Sequence, residues 1–335
     1  MKSKIFSHSL VGAVSNQCRI PHAYSAVFTQ VRLENRTYRR VQVIMDFTIK
    51  KRSDMASAFA PGNISCVFKI IPHADPARMH SLGMGFTITE GVQTSVSEHH
   101  QTQVLFNGED INFPTVRAVV DRLIQNIDTT GIKVNLTSPL PLGCGFGLSG
   151  AASLATAYAL NKLIGTQKEN EELAMIAHVA EVENRTGLGD VCSQYHGGCL
   201  VKLKEGAPLV ADKLPIPDQP IYYRYFGPIQ TSEVLRNSEQ TKRINRAADT
   251  ALAALQRLTH TPSNPELFTA CFAVAKQFSA ESGLLSDARV INTVDQIEAA
   301  GGAASMIMLG NGVFSTHAFD GATETQLSKN PARLI

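Results

Sequence analysis

The residues PLGCGFGLSGAAS, Pro141 to Ser153, limit what this chain can fold into more than any other stretch. Three glycines at alternate positions, Gly143, Gly145 and Gly147, leave almost no side chain where the backbone turns. Leu148, Ser149, Gly150 and Ala151 then open a helical pattern without a break. Glycine allows left-handed turns and close approach of an external group, and the first turn of a helix leaves its N–H groups without partners. Such a place suits an anion, most often phosphate, although glycine-rich turns before helices also serve as plain structure. Two known phosphate loops can be compared directly. No lysine follows the last glycine, so the G-x-x-x-x-G-K-[ST] loop is absent. Gly145, Gly147 and Gly150 do spell G-x-G-x-x-G. However, Ser138 to Pro141 separate them from the strand expected at Ile132–Thr137, and a second helix follows the first, where a dinucleotide fold needs a strand.

Composition narrows the rest. The chain has 335 residues, 44% hydrophobic and 18% charged, which suits a globular protein long enough for two domains. A net charge of +2 provides no basic field for nucleic acid. No apolar run approaches the ~18 residues a membrane helix needs. The six cysteines form no C-x-x-C pair and no signal peptide is apparent, so reduced thiols in a cytoplasm are expected. Cys192, His196 and Cys199 are closely spaced, but no fourth ligand for zinc is evident.

Along the chain, residues 1–54 read as an extension of uncertain order or a mis-assigned start. They are basic, with a strand at Val41 to Phe47 and alternative starts at Met45 and Met55. Ala58 to Phe68 reads as a strand broken by Pro61 and Gly62, and Gly83 to Ser97 as a second. Val104 to Phe106 precedes an Asn107–Gly108 turn. Thr115 is placed as the cap of a helix whose residues Val116, Val119, Val120, Leu123, Ile124 and Ile127 fall three and four apart. After the glycine loop, a helix from Ser149 to Ile164 stops at Gly165. The next, capped by Asn170, turns Leu173, Ile176, Ala177 and Ala180 inward. Glu181 and Glu183 flank that stripe, and periodicity does not choose between them. The helix ends at Thr186 to Asp190, ahead of Gly197, Gly198 and a strand at Cys199 to Leu203. Pro215, Pro217 and Pro220 mark a linker, dividing residues 55–215 from 216–335. Beyond it come a strand at Ile221 to Phe226, helices at Ala247 to Leu258, Pro265 to Phe278 and Ser286 to Ala300, and a hairpin with its turn at Asn311–Gly312. This mixture predicts an α+β fold.

Three stretches, APGN at Ala60 to Asn63, the Pro141 to Ser153 loop and the glycine-led hairpin near Gly301, resemble the motifs of the galactokinase, homoserine kinase, mevalonate kinase and phosphomevalonate kinase (GHMP) superfamily. The resemblance covers about residue 56 to the end. The longer strings GCGFGLSGAA, AHVAEVENRTGLGD (Ala177 to Asp190) and ASMIMLGN (Ala304 to Asn311) are most similar to archaeal pantoate kinases. The resemblance implies an N-terminal domain like domain 2 of ribosomal protein S5 and a ferredoxin-like C-terminal domain, with ATP and acceptor meeting between them. It assigns ATP to Pro141, Gly143, Cys144, Gly145, Phe146, Gly147, Leu148, Ser149, Gly150 and Ala151. Mg2+ falls to Ser149 and Glu181, with Glu183 as a substitute, and the acceptor hydroxyl to Asp190. Pantoate falls to Ser81, His178 and Lys202. The implied reaction gives 4-phosphopantoate on the archaeal route to coenzyme A, with no membrane or nucleic-acid partner and a homodimer as a possible assembly. Alternatives are another small alcohol as acceptor (homoserine, mevalonate or shikimate) or a nucleotide sensor without catalysis. Two positions depart from relatives: Asn63 stands where mevalonate kinases have lysine, and Lys202 where an arginine is expected.

Overall fold

The computed structural model describes residues 25–33, 36–44, 54–125, 127, 129, 131–215, 219–259 and 266–335. Met45, Cys18, the basic residues 50–52, Pro217 of the linker and Pro265 lie outside them. The chain divides into two compact units, Met1–Arg52 and Ser53–Ile335. In the first, β1 (Ser25–Leu33) and β2 (Arg36–Ile44) pair antiparallel, Ser25 opposite Ile44 and Leu33 opposite Arg36. The expected strand at Val41 is the end of β2, and the rest of that stretch, 45–47, lies outside the described residues. β1 was not expected, although Val27, Phe28, Thr29 and Val31 are the β-branched and aromatic residues that strands favour.

The second unit is built on a long antiparallel pair, β3 (Ala56–Ile71) and β4 (His80–Glu98), in register from Ala56 opposite Val96 to Ile71 opposite His80. Contrary to the break expected at Pro61 and Gly62, β3 runs on through them with a bulge. A bulge absorbs the missing proline N–H without ending the ladder. Opposite it, Gly91 has no room for a side chain, since a Cβ would lie 2.1 Å from the Ala60 carbonyl oxygen. β5 (Gln103–Phe106) and β6 (Glu109–Asp110) turn at Asn107 and Gly108, both with positive φ, as that dipeptide predicts.

Helix α1 (Pro114–Ile124) starts from Phe113, with the proline in its first turn and no side-chain cap, so Thr115 is a buried helix residue and not the cap. β7 (Ile132–Thr137) pairs antiparallel with β4 and parallel with β5. Two helices follow, α2 (Leu148–Ile164) and α3 (Asn170–Asn184). The cap of α3 is Glu169, in a reciprocal capping box with Glu172, which displaces Asn170 from that role. A short helix absent from the sequence reading, α4 (Asp190–His196), precedes β8 (Cys199–Lys202) and β9 (Asp212–Leu214).

The remaining elements are β10 (Pro220–Pro228), α5 (Thr231–Arg236), α6 (Ser238–Thr259), α7 (Glu266–Glu281), α8 (Ala288–Ala299), β11 (Ala304–Met306), β12 (Gly310–Ser315), β13 (Thr323–Gln326) and β14 (Arg333–Leu334). Asn311 and Gly312 lie inside β12, opposite Gly227 and Tyr225, and the hairpin turns instead at Ile307 to Leu309. The large sheet runs β14-β3-β4-β7-β5-β6, with β8 and β9 attached to β4, and the small one β11-β12-β10-β13. Residues 53–335 thus hold both sheets, and β14 brings the chain end back to β3, with Arg333 opposite Phe59. An aromatic joint links them: Phe86 of β4 stacks edge-on against Phe268 of α7 (5.7 Å) and Phe314 of β12 (5.5 Å). This is the α+β arrangement the sequence suggested.

Candidate active site

The glycine loop folds as its composition demands. Gly143, Gly145 and Gly147 all have positive φ (74°, 86° and 61°), and alternation of such residues with ordinary ones turns N–H groups toward a common concavity. Gly147 caps α2 with no side-chain hydrogen bond, and no acid occupies the first turn. The positive end of the helix dipole is met by no acid of its own first turn, and the carboxyl groups beside it, Glu181 on Ser149 and Asp190 near Gly147, come from elsewhere in the chain. The loop is clamped from behind: a Cβ on Gly145 would lie 2.7 Å from the Met308 carbonyl oxygen, and one on Gly310 would lie 2.1 Å from that of Cys144. The turn at Ile307 to Leu309 is therefore pressed against the loop, with Leu309 itself at φ 60°.

In front of the loop lies a cavity of about 580 Å3, whose wall includes Ser65, Ser81, Gly147, Ser149, Asp190 and Lys202. Of the residues assigned to ATP, Gly143, Gly145, Phe146, Gly147, Leu148 and Ser149 line it, whereas Pro141, Cys144, Gly150 and Ala151 do not. Gly150 serves packing, since a Cβ there would lie 2.8 Å from Gln194 Oε1 and 3.3 Å from Asp190 Cβ.

Three acids were in question. Ser149 Oγ donates to Glu181 Oε2 (2.8 Å), and Glu181 Oε1 is buried with no partner. Burial, and then the neighbouring Asp190 charge, push the Glu181 carboxyl up to about 8, against the pull of the Ser149 hydrogen bond. Glu183 faces the other way, exposed and ion-paired with Arg122 of α1. Asp190, first residue of α4, opens partly into the cavity, and its Oδ1 accepts from Asn63 Nδ2 (2.6 Å) and Ser65 Oγ (3.4 Å). Burial pushes the pKa of its carboxyl up, and these two hydrogen bonds oppose the rise. The chain between Glu181 and Asp190 passes close to both, because a Cβ on Gly187 would lie 2.7 Å from Glu181 Oε2 and 3.0 Å from Asp190 Oδ2.

The three residues assigned to the acceptor part company. Lys202 lines the cavity and is buried, its Nζ donating to the carbonyls of Ala207 (2.6 Å) and Pro208 (3.0 Å). Among the described residues no carboxylate pairs with it, and burial lowers its basicity. Ser81 also lines the cavity, and a Cβ on Gly189 would lie 2.6 Å from its Oγ. His178 does not line it: the ring is buried in α3 and its Nε2 meets the Met79 carbonyl (2.9 Å). Burial lowers His178 to about 4, so it is neutral and Nε2 is the donor. His196 spends its Nε2 on the Leu209 carbonyl (2.6 Å), and no cluster of metal-ligating side chains occurs among the described residues.

Two site residues escaped the sequence reading. Ser65 lies two residues beyond Asn63, hence on the same face of β3, and that period was the available signal. Gln194 lies one helical turn beyond Asp190 and donates to the Gly147 carbonyl (2.8 Å). Finding it required knowing that α4 is a helix.

Fold and site together define a two-sheet α+β protein in which a glycine-led helix N-terminus, Asp190 and Lys202 face one cavity. Residues 114–198 match the family described as GHMP kinases N terminal domain. The chain is 30% identical over 259 residues to the pantoate kinase of Methanocaldococcus jannaschii, covering 76% of this chain and 90% of that one. It is 31% identical over 266 residues to the pantoate kinase of Methanospirillum hungatei, covering 77% and 86%. A solved structure described as a phosphotransferase related to the CoA biosynthesis pathway matches with a TM-score of 0.72 at 25% identity, over 84% of this chain and 98% of that one. The chain belongs to the GHMP kinases.

Proposed function

We propose that this protein transfers the γ-phosphoryl group of ATP to the primary hydroxyl of pantoate, giving 4-phosphopantoate and ADP on a route to coenzyme A. The observation that carries the acceptor is Lys202, a buried ammonium in the wall of the cavity that the glycine loop and Asp190 share, with no carboxylate paired to it among the described residues. A buried cation wants an anion, and a small hydroxy acid brings one. Ser81 adds a hydroxyl to the same wall. The relatives named pantoate kinase support the same acceptor.

The triphosphate would lie on the N–H groups of residues 143 to 149, where the first turn of α2 is open. The residues fit a magnesium ion: Ser149 offers a hydroxyl and Glu181 a carboxylate with one buried, unpartnered oxygen, both hard donors of the kind the ion takes. When bound, Mg2+ would neutralise charge on the phosphates. Glu183, committed to Arg122, is the poorer candidate. Asp190 would accept a hydrogen bond from the acceptor hydroxyl and aim it. His178 would act from behind, its ring holding the Met79 carbonyl one residue before His80 and two before Ser81. The free, buried thiols Cys66, Cys144, Cys192, Cys199 and Cys271 favour a reducing cytoplasm. No helix among the described residues is long and apolar enough to cross a membrane.

ADP release measured across pantoate, homoserine, mevalonate and shikimate tests the reading. Pantoate is expected to give the highest kcat/KM, and a better rate on another alcohol would reassign the acceptor. Asp190→Asn should lower kcat about 1000-fold to a small residual rate and leave ATP affinity within about threefold, because the side chain acts on the acceptor and not on the triphosphate.

A further inference from the structure

We propose that Asn63 is the positioning residue for Asp190, a neutral amide that holds one oxygen of the carboxylate so that the other faces the acceptor. This rests on the function proposed above. Asn63 follows the bulge of β3 and is buried. Its backbone N–H donates to the carbonyl of Phe146 inside the glycine loop (2.9 Å), so one residue ties that loop to the acid. Its Nδ2 donates to Asp190 Oδ1 (2.6 Å) and to Ser65 Oγ (3.2 Å), and Ser65 Oγ lies 3.4 Å from the same carboxylate oxygen. The orientation of the amide follows from chemistry: reversed, it would set its own oxygen against an ionised carboxylate.

Two neutral donors therefore occupy Oδ1. The carboxylate is also confined by glycines, since a Cβ on Gly147 would lie 3.0 Å from Asp190 Cγ and one on Gly187 would lie 3.0 Å from Oδ2. With the group fixed at one oxygen and walled on two sides, Oδ2 is left as the acceptor of the substrate hydroxyl. An amide in this place differs from a lysine in kind. It orients the carboxylate by a short hydrogen bond without adding a positive charge beside the reacting oxygens.

The test is a kinetic double-mutant cycle on the full chain with Asn63→Ala, Asp190→Asn and the double variant. Removing a charge-assisted hydrogen bond should lower kcat about 10- to 100-fold while the KM for ATP stays within about threefold. Asn63→Asp, equal in shape but repelling Asp190, should lower kcat further, and it carries the cycle if the melting curve shows that Asn63→Ala does not fold. In the Asp190→Asn background the Asn63 substitution should change the residual rate by less than about twofold, because its effect passes through the missing acid. Losses that multiply in the double variant, or a raised KM for ATP at unchanged kcat, would overturn the positioning role while leaving the kinase reading intact. If the protein prefers another alcohol, the reading of the acceptor fails and the same cycle on that alcohol decides Asn63. A protein idle on every acceptor overturns both.

Discussion

Glu181 is the side chain whose surroundings contradict its chemistry most openly: a carboxyl buried in α3, one oxygen held by Ser149 and the other by nothing. Its folded value, about 8, lies above the 4.5 of a glutamate free in water. A group raised in this way contributes stability that is fully present below about 4.5 and is lost as pH rises through about 8. The metal-free protein should therefore melt at falling temperature across that window. Glu181→Gln should flatten the dependence, and added Mg2+ should restore the loss in the unmutated protein alone. A melting series from pH 5 to 9 (~1-unit steps), with and without Mg2+, decides it. At Lys202 the expectation is kinetic. Lys202→Met should raise the KM for a carboxylate acceptor about 10- to 100-fold with the KM for ATP nearly unchanged, as loss of a charged hydrogen bond implies. Steady-state rates with each substrate varied in turn would show a different pattern if Lys202 were only a structural lysine. Sequence placed all of these residues but not their division of labour, because which flank of a helix faces a cavity depends on what packs beside it. Arg122 of α1 is what takes Glu183 away.

Among elements, the glycine loop was the most legible and the hairpin near its back the least. The alternation of Gly143, Gly145 and Gly147 dictates left-handed turns locally, and all three have them. The Asn311–Gly312 pair signals a turn just as strongly, yet it sits within β12, paired with β10. The close approach of Gly310 to Cys144 fixes the hairpin one step earlier, and contact at long range overrides a local preference. Helix α4 was invisible because seven residues between glycines are too few for a periodic signal, and an isolated helix of that length does not form in water. Gly310→Ala should consequently disrupt two elements at once. Its Cβ would meet the Cys144 carbonyl, and we expect several kcal/mol of destabilisation (~3) together with lost ATP binding. Gly165→Ala, at φ 71° with nothing within 4 Å, should cost only about 1 kcal/mol and leave binding unchanged. Thermal melts and ATP titration of the pair would compare a clash with a backbone strain.

For the whole molecule, the joint between the two sheets is aromatic. Phe86 is fully buried and touches Phe268 and Phe314, so Phe86→Ala should cost about 3–5 kcal/mol and lower the melting temperature of residues 53–335 as one transition. Two separated transitions would mean that the halves unfold independently. Residues 1–52 form a compact unit of their own. A chain starting at Ser53 should keep the kcat and melting temperature of the full protein, which parallel assays can check. By itself the sequence determined most of the longer strands and helices, the turns that only glycine allows and the α+β class. These follow from periodicity and backbone sterics, which act over a few neighbours. Only the tertiary structure decided which acid meets Ser149, that Asn63 faces Asp190 from 127 positions away, and that Lys202 reaches the cavity while His178 does not. Those outcomes depend on which surfaces the core brings together, and no local pattern encodes a meeting between strands and helices so far apart along the chain.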